Sequence, residues 1–378
     1  MKILLVGEYS RLHNSLKEGL VALGHQVQII STGDYFKNFP SDIKLIRKYD
    51  SGFNKKIKVG IFKIFGIDIS SISIKKQFFK HQNKLKNFDV VQLINESPFG
   101  VSPSTELQII SFLKKHNKKL FLLSCGADYI SVNYALGNNL SYSILDNYKN
   151  GKGSKEYFDF ALKYTTKPFK KLHKYIYSSI NGVIASDIDY HIPLNGNSKY
   201  LGLIPNPVNI DKLEYRKLET DKTINIFLGI NRNNYYTKGI IYFEEALLII
   251  KKKYGEKIHI EIVENLPYLE YINKYNEAHI ILDQILAYDQ GYNALEAMAK
   301  GKVVFTGAEK EFEEYYSLNK IVAVNAIPNS QDIVEKLEEL ILHPEKITEI
   351  GNNAKVFVTN HHHYKKIAEN YLEIWKNN

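Results

Sequence analysis

Cysteine is almost absent from this chain: Cys125 is the one thiol in 378 residues. A single thiol excludes an internal disulfide framework and any zinc site built on cysteines, and it points to a reducing compartment, the cytoplasm. Long apolar runs are missing as well. The opening MKILLVGEYS has one Lys and then the short run ILLVG, well below the length of a signal-peptide core or a membrane span. The other extended apolar stretch, VGIFKIFGIDISSISI, is interrupted by Lys63 and Asp68, so it is not expected to cross a bilayer. No low-complexity tract dominates, and 44% hydrophobic with 24% charged residues is the composition of a globular protein. A prior of about 150 residues per domain predicts two domains.

Charge is present in both signs but unevenly spread. Residues 1–200 carry 29 Lys and Arg against 15 Asp and Glu, net +14, and residues 201–378 carry 21 against 26, net −5. The halves are therefore expected to meet different electrostatic partners. In the basic half, KKQFFKHQNKLKNF and YTTKPFKKLHKYIYSSI interleave Lys with Phe and Tyr. That pattern suits an anionic membrane surface at the inner face of a membrane, or a solvated lysine-rich face.

The hydrophobic pattern is that of alternating strands and helices. KILLVG reads as a buried strand, NSLKEGLVALG as a helix with Leu16, Leu20 and Leu23 at helical spacing and Asn14 or Ser15 as its N-cap, and QVQII as the next strand. The same opening recurs at TINIFLG (223–229), followed by the helical IIYFEEALLIIKKKYG. DVVQLINE, KLFLLSCGAD, GVIASD, KIHIEIVEN, HIILDQI and KVVFTG read as further strands; SPSTELQIISFLKKHN, NALEAMAKG and SQDIVEKLEELILHP read as helices. Two such starts predict two doubly wound, Rossmann-like α/β domains with parallel sheets facing a cleft. The expected boundaries are 1–205, 206–357 and a terminal helical piece, 358–378, packing back on the first domain; the join falls within residues 201–221. Segments 34–80 and 131–165 show no readable pattern and are expected to be insertions.

In doubly wound sheets ligands bind beyond the carboxyl ends of the strands, so those positions are the ones to inspect. Neither opening strand is followed by G-x-G-x-x-G; the loops read GEYSRLHN and GINRNNYYTKG, so a standard dinucleotide site is not expected. The second loop places Arg232 and Lys238 just before Gly239 and a helix start, where a guanidinium, an ammonium and free N–H groups form a site for a diphosphate, or else are solvated loop cations. Glu296 lies among Ala294, Leu295, Ala297, Met298 and Ala299. A carboxylate in so apolar a helix needs a hydrogen-bonding partner. A ribose diol is one candidate, and stabilisation by the helix dipole is the plainer alternative.

These residues carry a family resemblance. Gly229, Arg232, Lys238-Gly239 and then GYNALEAMAKGKVVF resemble the C-terminal domain of the family 4 retaining glycosyltransferases of the GT-B fold, most strongly over residues 222–307, with IPNPVN (204–209) similar to the family's link segment. The resemblance implies that Arg232 and Lys238 neutralise the diphosphate of a nucleotide-sugar donor, and that Glu296 holds the nucleotide ribose. Gly229, Gly291 and Asn293 fall within the matching segments. The family's first Glu falls at Tyr288, with Asp289 beside it but out of register, a departure that bears on sugar choice or activity itself. Val303 stands where the family has Pro. In the N-terminal half Gly7 and Glu8 replace the family's Gly-Gly loop. Relatives often show a His or His-Asp after the strand matching KLFLLSCGAD, and Asp128 is the best candidate there for a catalytic role, with Asn95 and Glu96 on the neighbouring strand as further acceptor-side candidates; for each, a loop-capping role is an open alternative.

The implied reaction is transfer of a sugar from a nucleoside diphosphate to a hydroxyl of a saccharide or lipid-linked acceptor, with retention, in cell-surface polysaccharide biosynthesis. No metal or other cofactor is expected, and HHHY (361–364) reads as a solvated linker rather than a metal site. Two other classes stay open. A nucleotide-sugar 2-epimerase of the same architecture would need paired acid and base residues, of which the sequence displays no clear pair. A nucleic-acid-binding protein would suit the +14 half, but no binding module is visible and the phosphate-binding loop lies in the acidic half, so no nucleic-acid partner is expected.

Overall fold

Apolar runs that end on glycine become buried parallel strands here. The computed structural model describes residues 1–34, 38–215, 223–264 and 268–378. The chain divides into two compact units, residues 1–132 with 161–207 and 364–378, and residues 133–160 with 208–363. Among the described residues no helix is long and apolar enough to cross a membrane.

The first unit is built on seven strands, β1 (Lys2–Val6), β2 (Gln26–Ser31), β3 (Ile43–Lys44), β4 (Val90–Leu93), β5 (Lys119–Ser124), β6 (Gly182–Ala185) and β7 (Tyr200–Leu203). They form one parallel sheet in the order β3-β2-β1-β4-β5-β6-β7. Successive residues Ile3, Leu4, Leu5 and Val6 are all buried, so this inner strand is apolar on both faces, as a sheet covered on both sides requires. The helices that precede or flank these strands include α1 (Leu12–Ala22), α2 (Gly52–Phe65), α3 (Ile69–Lys80) and α4 (Pro103–His116). The described part of segment 34–80, unreadable from sequence, is thus β3, α2 and α3.

The expected cap of α1 is corrected. The helix begins at Leu12, so Asn14 and Ser15 lie inside it. The buried carboxyl of Glu8 accepts the N–H groups of His13 (3.3 Å) and Asn14 (2.9 Å) instead. The terminal helix Tyr364–Asn377 lies on α1, and Ile367, Ala368, Tyr371 and Trp375 share a core cluster with Leu12, Leu16 and Leu20. Trp375 Nε1 donates to Gln92 Oε1 of β4 at 3.0 Å. The Lys-Phe segments of the basic half are core-facing: Phe78, Phe88, Phe169, Leu172 and Ile176 are buried, leaving mainly lysines outside.

The second unit holds β8 (Ile224–Ile230), β9 (Ile258–Glu264), β10 (Ile280–Leu282), β11 (Val303–Thr306) and β12 (Val324–Asn325), parallel in the order β12-β11-β10-β8-β9. Residues 133–160, which the sequence left in the first domain, cluster here: Tyr142 lies 5.4 Å from the Tyr288 ring and Tyr157 5.1 Å from the Tyr236 ring. Of the expected join, residues 216–221 lie outside the described residues and Tyr200–Leu203 is drawn into the first sheet as β7. The histidine run is not a solvated linker. His361 ends the helix Glu345–His361, and His362 is buried against Phe357 at 5.3 Å, because the aromatic side chains there stack into a small core.

Candidate functional site

The loop after β8 is anchored to the loop after β10. Ile285 donates its N–H to Lys238 O at 2.9 Å, and Gly239 adopts φ +68° where a Cβ would lie 3.1 Å from Ile285. Only glycine fits both the left-handed backbone and that approach. This places Lys238 beside the buried Asp283: Nζ donates to Oδ1 at 2.9 Å and to the Asp283 carbonyl at 3.3 Å. One of three ammonium N–H groups is left for a ligand. Asn293, in the first turn of the helix Tyr292–Ala299, donates to the same Oδ1 at 3.0 Å. Asp283 Oδ2 is buried without a hydrogen-bond partner among the described residues. Gly229 joins through Tyr271: a Cβ there would lie 2.8 Å from the Tyr271 ring, whose hydroxyl approaches Asn293 Oδ1 at 3.5 Å.

Asp283 is therefore the residue on which Lys238 and Asn293 converge, and sequence reasoning missed it. Its signal was its position, first after an apolar strand and opposite the cationic loop.

Arg232 is not drawn into this cluster. Its guanidinium makes a two-point ion pair with Glu264 at the end of β9, through Nε at 3.0 Å and a closer contact from its NH2 group, and it lies over the Tyr235 ring at 4.9 Å. Since β9 and β10 flank β8 on opposite sides, the two cations of one loop lean toward different neighbours. The Arg232–Glu264 pair is exposed and worth about 1 kcal/mol or less, so a ligand can compete for the guanidinium. Glu296 is half-buried three residues beyond Asn293, on the same face of its helix. Tyr288 is buried and its hydroxyl accepts the Ser141 N–H at 2.8 Å. Asp289 Oδ1 accepts the Gln290 N–H at 2.7 Å, and Gly291 caps the helix start beside Asp283 and Gln284. A cavity of about 310 Å³, lined by Lys212, Glu214, Asn276, Lys300 and Lys302, lies at the amino-terminal end of β11, where the Glu296 charge acts on Lys300.

In the first unit Gly7 has φ +86°, and a Cβ there would strike Ile94 at 2.3 Å. The α1 start beyond it is closed by Glu8, whose carboxyl burial pushes up to about 8. His13 is buried with Nδ1 on Gly7 O at 2.8 Å, and burial holds it down to about 4. Asn95 is fully engaged, donating to Cys125 O and Ala127 O and accepting from Ser97 and Tyr164. Asp128 accepts the Ser131 N–H at 2.7 Å and the Ser124 hydroxyl, the loop-capping role.

Glu96 differs. It is buried, accepts the Tyr129 N–H at 3.3 Å, and lies 2.6 Å from His173 Nδ1. Burial pushes its carboxyl up to about 6 against the His173 hydrogen bond, and the Asp128 charge adds to the rise. The His173 ring is stacked on Tyr129 at 4.4 Å and lies against Tyr177 at 4.3 Å, an arrangement that fixes it with Nδ1 on Glu96. His173, seventy-seven residues away in sequence, was not foreseen.

Residues 233–373 match the family described as glycosyl transferase-like. No curated protein matches the sequence. Across its length the chain is similar to sucrose-phosphate synthase from Thermosynechococcus elongatus, at TM-score 0.63 and 14% identity, covering 100% of this chain and 99% of that one. It is also similar to Anabaena HepE solved with UDP and glucose, at TM-score 0.58 and 12% identity, covering 99% and 98%. The fold is GT-B. A third similar GT-B structure is UDP-GlcNAc 2-epimerase from Neisseria meningitidis bound to UDP-GlcNAc, at TM-score 0.53 and 15% identity, covering 100% of both chains. GT-B architecture thus hosts more than one chemistry, and the choice between them has to come from side chains.

Proposed function

We propose that the chain is a glycosyltransferase that moves a hexose from a nucleoside diphosphate to a hydroxyl acceptor with retention, as in family 4, in assembly of a cell-surface polysaccharide. One observation carries this: Lys238, Asp283 and Asn293 form a single hydrogen-bonded cluster beyond the carboxyl ends of β8 and β10, inside the stretch that matches the glycosyl transferase-like family. In this reading the free N–H of Lys238 and the displaced Arg232 guanidinium meet the diphosphate, and Glu296 meets the ribose. As the anomeric C–O bond breaks, its electron pair goes to the diphosphate oxygen. The acceptor oxygen bonds to the anomeric carbon and gives its proton to the departing diphosphate. The two cations stabilise charge that grows along this path, which raises turnover rather than ground-state binding alone.

The test is to screen UDP, GDP and CDP by thermal shift, then to follow transfer from the matching sugar nucleotide and read the anomeric configuration of the product by NMR. A ligand present at 100 times its dissociation constant should stabilise the fold by about 2.7 kcal/mol. No shift with any of them, and no transfer, would end the proposal.

A second reading has its own support. Glu96 and His173 form a hydrogen-bonded pair, and the Asp128 charge acts on Glu96. A buried carboxylate holding an imidazole in this way can serve acid and base chemistry of the kind a nucleotide-sugar 2-epimerase would use, and the sequence did not reveal it. Incubation with sugar nucleotide alone separates the two: an isomerised sugar in the NMR spectrum favours epimerisation, and an unchanged one favours transfer.

A further inference from the structure

The helix α2, Gly52–Phe65, has no buried residue anywhere along its fourteen positions. Phe53, Ile64 and Phe65 are 75%, 74% and 68% exposed, and Phe62 and the following Ile67 are also open to solvent. Phe53, Ile57, Ile61 and Ile64 follow one another at helical spacing as a stripe along the helix. A free-standing helix of this composition would be marginal in water. Here it is held at its base, where Lys58 reaches Asp50 at 2.7 Å and Arg47 reaches the same carboxylate at 3.0 Å, next to α3, whose Ile74 and Phe78 are buried in the unit's core.

Charge decides what covers this stripe. Lys55, Lys56, Lys58 and Lys63 all lie on α2, and no acidic residue occurs from Ser51 to Ile67. A second copy of the helix would set like charges against each other. A folded acidic partner would meet the lysines but has no reason to need two phenylalanines and an isoleucine standing outward. An anionic bilayer surface accepts both: the rings and aliphatic chains enter the headgroup boundary, and the lysine stems extend back to the phosphates. At about 1.5 Å per residue the helix is about 21 Å long, too short for the roughly 30 Å hydrocarbon core, so it would lie on the surface rather than span it.

We propose that α2 is a membrane-docking helix that seats the first unit on an anionic lipid surface through Phe53, Ile64 and Phe65, with Lys55, Lys56 and Lys63 on the headgroups. The inference is independent of the transferase reading: vesicle binding without sugar transfer would leave it standing, and transfer without vesicle binding would remove it alone.

The experiment is co-sedimentation of the full chain with vesicles of phosphatidylcholine, with and without phosphatidylglycerol. Binding is expected only to the anionic vesicles. The Phe53→Ser/Ile64→Ser/Phe65→Ser variant, altered only at exposed positions, should keep its circular dichroism and thermal midpoint and lose sedimentation. Lys55→Gln/Lys56→Gln/Lys63→Gln should weaken binding roughly 100-fold, from about a fivefold effect per basic residue near such a surface. Phe65→Trp adds a direct readout, because the single native Trp375 is buried; a blue shift on adding anionic vesicles alone is expected. Four results would overturn the proposal. They are equal binding to neutral vesicles, unchanged sedimentation of the serine variant, a lipid-free dimer that this variant dissolves, and RNA binding that the serine variant abolishes.

Discussion

Glu8 stands where β1 hands over to α1, and its own carboxyl, rather than a ligand's oxygen, takes the first N–H groups of the helix. Folded, it ionises near 8; unfolded, near 4.5. The native state therefore holds the extra proton across that window, and stability is lost as pH rises from about 4.5 to about 8, at up to about 1.4 kcal/mol per pH unit. Glu8→Gln cannot titrate. Its stability relative to the parent should climb with pH across the window, as urea midpoints at both ends would register; parallel behaviour would mean that Glu8 is ionised in the fold. The opposite trend from His13, held down to about 4 and losing stability as pH falls below 6.5, is common to both proteins and cancels. Lys238→Ala should lower turnover by about 100 to 1,000-fold, the usual effect of removing one donor to developing charge, with donor KM changing less. In the epimerisation reading Glu96 should govern an acid limb: as pH falls through about 6 its carboxylate protonates and releases the His173 N–H. Activity should drop there, and Glu96→Gln should show a low, flat profile across the same range.

Among the elements, α1 and the terminal helix are set by Gly19. An Ala in a helix interior normally stabilises by about 0.5–1 kcal/mol over Gly. At position 19 the added methyl would lie 2.3 Å from Tyr364 O and 2.9 Å from Ala368 Cβ, so the helices would have to separate. Gly19→Ala should instead destabilise by about 1–3 kcal/mol, as overpacking does, and lower the near-ultraviolet signal of Trp375 as the unfolding midpoint falls. The long apolar strands were all legible, because both faces of a central parallel strand are apolar and the run itself is the signal. β3, β7 and β12 were not. They are sheet-edge strands of 2, 4 and 2 residues, held by one neighbour each, too short for a periodic pattern to mark them.

For the molecule as a whole, the proposal rests diphosphate neutralisation on two side-chain cations, so transfer should survive EDTA. A loss that added Mg²⁺ restores would show that Arg232 and Lys238 are insufficient. The chain's path through its two units was legible only in part. Two Rossmann-like starts could be read from TINIFLG repeating KILLVG, but nothing local in residues 133–160 says that Tyr142 will lie against Tyr288 rather than stay with the first sheet. By itself the sequence determined strands, helices and the cationic loop at Arg232 and Lys238, because periodicity and glycine stops act between residues that are neighbours in the chain. Only the tertiary structure decided which charge meets which partner, Lys238 with Asp283, Arg232 with Glu264 and Glu96 with His173. Such pairings bring together residues 32 to 77 positions apart, and burial makes Asp283 and Glu96 take whichever donor the fold delivers to them.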